Sequence, residues 1–187
     1  MPTRNDATTG VTFETIPGRT VTYDADVTSR LSPLGPNGGM ALTFNGTDDY
    51  GNTPDTANLS FGNGTTDSAF SVVALDNVTD SAVLRDIVSK WTLTGSLREW
   101  GVYFGAGDTL TVGLRDDLAG QTVLRESSAA ITMGSWQFFG MTYSAATGGA
   151  TAADDVTLYA NGNVVTSTAT NNVLYVAMND LGAPLEI

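Results

Sequence analysis

The chain has 187 residues, 41% hydrophobic and 15% charged, with a formal net charge of −12 and neither cysteine nor histidine. That composition excludes disulfide frameworks, thiolate chemistry and Ser–His–Asp or Cys–His catalysis, and its acidity suits neither nucleic-acid phosphates nor anionic membranes. Aspartate outnumbers glutamate 16 to 4, and Lys90 is the only lysine, a bias toward turn and cap residues that predicts a loop-rich all-β chain.

Residues 1–10 are polar and aperiodic, carry no apolar leader stretch, and read as an arm. Residues 11–16 and 20–23 alternate on either side of Pro17 and Gly18, as two short strands would. Pro33, Gly35, Pro36, Gly38 and Gly39 mark a connector. It divides the chain into an N-terminal arm and connector, residues 1–39, and a β-sandwich domain, residues 40–187. Within the domain, residues 40–44 and 69–75 are strand candidates. Residues 82–91 fit helical spacing as well, but the all-β context makes them a strand. Residues 98–104 and 109–115 alternate across a Gly-Ala-Gly-Asp turn and read as a hairpin. Residues 136–143 form a further strand. The small, glycine-rich stretch 148–153 reads as an exposed tip. Residues 156–160 and 164–168 flank Asn161 and Gly162, the strongest short hairpin signal because both residues accept positive φ. No helix is predicted, and strands at this spacing imply an antiparallel β-sandwich or jelly roll.

Four patches in order carry a resemblance. Residues 41–50, Ala-Leu-Thr-Phe-Asn-Gly-Thr-Asp-Asp-Tyr, are similar to an "FDGxDDY" opening. Ile87-Val88-Ser89-Lys90-Trp91 with Arg98-Glu99-Trp100-Gly101-Val102-Tyr103 is similar to an "SKW…REW" strand pair. Residues 135–143 match a "W-hydrophobic-TYD" strand, and residues 157–162 match an "LYvNG" hairpin. Together they resemble the laminin-G-like branch of the concanavalin A-like lectin/glucanase superfamily, which implies a concanavalin A-like, laminin-G-like jelly roll over residues 40–187. Asn45 and Ser144 stand where that family usually has aspartate, which removes carboxylates from positions that can ligate calcium. The family's closing strand has no match here. Residues 11–30, a neighbouring subunit or further chain would fill its place.

Glucanases of the superfamily carry Glu-x-Asp-x-x-Glu on one strand face. No glutamate here has an aspartate two residues later. Glu99, between Arg98 and Trp100, and Glu126, after Arg125, read as solvated or ion-paired surface groups. A non-enzyme is expected, with no catalytic residues. The pairs Asp48–Asp49, Asp116–Asp117 and Asp154–Asp155 read as turn residues. The resemblance places a calcium ion near Asp48 and Asp49, the candidate metal ligands, and weak or no calcium binding is expected. Trp91, Trp100 and Trp136 read as core residues rather than sugar platforms. The candidate ligand loops are 52–66, 105–108 and 147–155.

The expected function is a non-enzymatic structural and adhesion protein on a virion surface, of capsid-decoration or fibre type, with lectin-like glycan contact as a second role. Its partners would be further copies of itself or capsid and fibre proteins, and glycans, with no nucleic acid and no membrane. The alternative is a carbohydrate-binding module of a larger secreted, extracellular protein.

Overall fold

In the computed structural model the described residues are 11–16, 19–23, 41–45, 49–79, 83–92 and 95–187, the first two stretches by backbone alone. Their apolar–polar alternation is realised as antiparallel strands: β1 (Val11–Ile16), β2 (Arg19–Tyr23), β3 (Gly51–Thr53), β4 (Phe70–Asp76), β5 (Arg85–Thr92), β6 (Leu97–Phe104), β7 (Leu110–Asp116), β8 (Gln121–Ser127), β9 (Gln137–Tyr143), β10 (Val156–Ala160), β11 (Asn163–Val164), β12 (Ser167–Thr170) and β13 (Leu185–Glu186). They form two sheets, one ordered β1-β2-β3-β13-β5-β6-β7-β8-β12 and a smaller one ordered β11-β10-β9-β4. The protein is an all-β, antiparallel sandwich. Among the described residues no helix is long and apolar enough to cross a membrane.

The core lies between the sheets and follows from the period of two. Trp100, Val102 and Phe104 of β6 stand opposite Leu114, Val112 and Leu110 of β7, and all six are buried. From the smaller sheet Phe70, Phe139, Met141, Tyr143, Val156 and Leu158 close over them. Phe61 stacks on Phe70 at 4.1 Å between ring centroids, and Phe104 meets Phe139 edge-on at 4.9 Å.

Several elements differ from the sequence expectation. Within 41–45 only Ala41 makes a bridge. Asn45 and Asp49 exchange backbone-to-side-chain hydrogen bonds. Strand β8 lacks a sequence signal, because polar Gln121, Thr122, Arg125, Glu126 and Ser127 leave Val123 as its one fully buried apolar residue. Residues 164–168 are not one strand. Val164 ends β11 beside β10, the chain changes sheets, and Ser167 begins β12 beside β8.

The expected tip at 148–153 is instead part of a 3-10 segment, Gly149–Asp155, that buries Ala152 and Ala153. Small residues are used there because a methyl group fits against the strands. The last residues, given no strand by the sequence, form β13. It pairs with β3 on one side and β5 on the other, while β1 and β2 extend the sheet beyond β3.

Candidate functional site

The pairing of β5 with β6 slips by one residue. Lys90 faces Trp100, yet Trp91 faces Arg98, so Glu99 is the extra residue of a β-bulge. A bulge turns two successive side chains toward one face, and here both Glu99 and Trp100 are buried. Glu99 is therefore not the surface group its charged neighbour suggests. Lys90 and Glu99 are both 0% exposed.

Lys90 Nζ contacts Asp55 Oδ1, donates to Ser60 Oγ at 3.0 Å and lies 3.3 Å from Glu99 Oε1. Ser60 Oγ donates in turn to Asp180 Oδ1 at 3.1 Å, and the Leu181 N–H donates to Glu99 Oε1 at 3.2 Å. Glu99 Oε2 has no partner. Trp100 holds the approaching loop in place, its Nε1–H donating at 2.9 Å to the carbonyl of Leu59 at the end of the 3-10 helix Ala57–Leu59. Burial raises the Glu99 pKa above the ordinary glutamate value, and the Leu181 N–H and the Lys90 charge only partly offset it. Oxygens of Asp55, Glu99 and Asp180 lie within 4.8 Å of one another, a spacing that suits a metal ion, but Lys90 already supplies a cation among them.

Beside this cluster an open cleft of about 640 Å³ runs past Asn63, Thr65, Asp116, Leu118, Asn179 and Asp180. Its polar groups brace its own walls. Asn63 Oδ1 accepts from the N–H groups of Thr65 and Thr66, Asn179 Oδ1 from Leu118, and Asp116 Oδ1 from Ala119. Asp180 belongs to both cleft and cluster. The sequence-predicted loop 52–66 supplies Asp55, Ser60, Asn63 and Thr65 to these two places.

Asp67 is a second hub. Its Oδ2 accepts from the phenols of Tyr143 at 2.8 Å and Tyr175 at 2.9 Å, and its Oδ1 accepts from the Met178 N–H at 2.8 Å. Burial raises its pKa despite those three bonds, and burial with the nearby carboxylate drives both phenols far above the ordinary tyrosine value. The hub ties β9 and the segment leading into β4 to the C-terminal residues.

Of the candidate metal ligands, Asp48 lies outside the described residues, and Asp49 Oδ2 accepts the Asn45 N–H at 2.7 Å. Asp117 sits between Arg98 and Arg115, at 2.6 and 3.0 Å. Asp155 accepts from the N–H groups of Thr147 and Gly148. Burial alone would raise both carboxyls, but these bonds outweigh it and hold them below the ordinary aspartate value.

The three tryptophans do not share one fate. Trp100 is in the core, as expected, but Trp91 and Trp136 are half-buried. Trp91 lies on the face of the large sheet away from the core. Gly101 and Gly113 pair directly there, and a Cβ on Gly113 would stand 3.7 Å from Tyr103 and 3.8 Å from Trp91 ring atoms. The two rings lie over this glycine pair, with the side chains of Ser89 and Leu124 beside it.

The outward face of the smaller sheet carries apolar rows beside a polar one of Ser71, Thr142 and Thr157. Val73, Gly140, Tyr159 and Val164 form one cross-strand row, and Leu75 faces Phe138 in another. Val73, Leu75, Phe138 and Val164 are 74%, 40%, 54% and 68% exposed. No protein-family model matches the chain, and no curated protein matches it significantly.

Proposed function

We propose that the chain is a non-enzymatic structural and adhesion module, displayed on a virion surface as a decoration or fibre-type subunit, whose copies associate through the outward face of the smaller sheet. The observation that carries this reading is the continuous apolar stripe of Val73, Leu75, Phe138 and Val164. Large apolar residues clustered on an exposed sheet face mark an interaction surface. The rows that hold them carry no charged residue. In a chain of net charge −12, this is where two copies approach with least repulsion. Sedimentation of the chain at micromolar concentration is expected to show a symmetric oligomer, and Phe138→Glu to give monomers. A monomeric parent chain overturns the reading.

Glycan contact has its own support in Trp91 and Tyr103, side by side above the Gly101–Gly113 pair. Flat aromatic faces of this kind stack on sugar rings. A glycan array run with calcium and with chelator tests it, and binding to a sugar class should be lost in Trp91→Ala. Equal binding by that variant counts against the platform.

A further inference from the structure

Of eight basic residues one is lysine, leaving seven arginines. The other described ion pairs, Arg85–Asp108, Arg98–Asp117, Arg115–Asp117 and Arg125–Asp154, all use arginine. The single lysine is fully buried between an aspartate and a buried glutamate. A guanidinium stays charged and unreactive, whereas a lysine amine becomes a nucleophile once it gives up a proton.

We propose that Lys90 and Asp55 join in an intramolecular isopeptide bond, with Glu99 carrying the protons. Lys90 Nζ contacts the Asp55 carboxyl directly, and Glu99 Oε1 lies 3.3 Å from the same nitrogen. The Lys90 ammonium gives a proton to Glu99. The free amine attacks Asp55 Cγ, and a C–N bond forms. Glu99 returns its proton to a carboxyl oxygen and takes the second proton from the nitrogen to that same oxygen. The C–O bond then breaks and water leaves.

An ammonium and a carboxylate have become one neutral amide and one water, with no change of oxidation state and no added reactant. Glu99 ends as it began. Its unpartnered Oε2 leaves it free to exchange protons, and its burial-raised pKa suits a group that must hold one. Two features drive the step. Held in contact, the groups react as if at about 10⁵–10⁸ M. Replacing the ion pair by an amide also removes the desolvation penalty of the buried Lys90 charge.

The full chain is weighed by mass spectrometry after denaturation, then digested with trypsin. The expected mass is one water below that of the sequence. Because trypsin does not cut after an acylated lysine, residues 86–98 should remain whole and joined to residues 31–85. Lys90→Arg should show the full mass, and so should Glu99→Gln with its β-sheet circular dichroism intact. A parent chain of full mass that releases residues 86–90 overturns the proposal, as does a water loss mapped elsewhere. A linked Glu99→Gln chain overturns the role of Glu99.

Discussion

Asp67→Ala tests how much one half-buried carboxylate holds together. The substitution orphans the phenols of Tyr143 and Tyr175 and the Met178 N–H, all now within 2.9 Å of an Asp67 oxygen. The phenols are 1% and 2% exposed, so neither finds bulk water without movement. Each orphaned buried donor costs about 1–3 kcal/mol. Asp67 itself is half-buried, so water can enter the space it leaves and relief falls toward the lower end. A loss of about 2–4 kcal/mol is therefore expected, a large share of the roughly 5–15 kcal/mol that holds a domain folded. Tyr143→Phe removes one donor and leaves Tyr175 in place, so about 1 kcal/mol should go. Urea unfolding followed by tryptophan fluorescence reads both, as a lower midpoint at unchanged slope. An Asp67→Ala chain as stable as its parent would falsify this account of the hub.

Gly62→Ala is the steric counterpart. Its new Cβ would lie 2.4 Å from the Met178 carbonyl oxygen and 2.6 Å from Met178 Cβ, and about 1–3 kcal/mol or more should be lost in the same titration; unchanged stability would contradict the close approach. The pH profile should also be unusual for an acidic protein. Burial raises the folded pKa values of Asp67, Asp76, Asp86, Glu99 and Glu186. The folded chain therefore binds more protons than the unfolded one between the ordinary values, 3.8 for aspartate and 4.5 for glutamate, and the raised ones, and stability falls as pH rises through that interval. Asp117 and Asp155, with lowered values, act oppositely: their stabilisation is present above 3.8 and lost as pH falls below it. The melting temperature is expected to rise as the pH falls through the raised values toward the ordinary ones and to fall in stronger acid; a steady decline from neutral pH downward would refute the sign.

The hairpins were legible because their turns and alternation agree. Asn161 and Gly162 adopt φ of 48° and 78°, which Asn-Gly accepts readily. The ambiguity at 82–91 has a structural cause. The register of β5 against β6 shifts between Asp86 and Val88, and the extra residue, Ile87, breaks the two-residue period and mimics helical spacing. Strands β3 and β13, three and two residues long, are too short to show any period and exist through their partners. The lysine cluster was half legible. A lone lysine in an apolar run and a glutamate beside a tryptophan in an alternating strand both hint at a bulge. Asp55 reaches Lys90, and Asp180 reaches Ser60 beside it, from distant parts of the chain with no local sequence signal. Trp91 differs from the core reading because a tryptophan in a strand looks the same whichever face it occupies, and Trp136 because it lies just before β9 rather than within it.

Strand β13 lies mid-sheet, between β3 and β5, although it comes last among the described strands. During synthesis a ribosome delivers it after every strand it joins, so β1, β2 and β3 wait with a hydrogen-bonding edge exposed while the rest of the sandwich forms. Closure-last topologies fold slowly because the longest loop must close before its contacts count, and the waiting edge is the stage most open to capture by another chain. A chain built this way completes its larger sheet only once the segment carrying β13 has arrived.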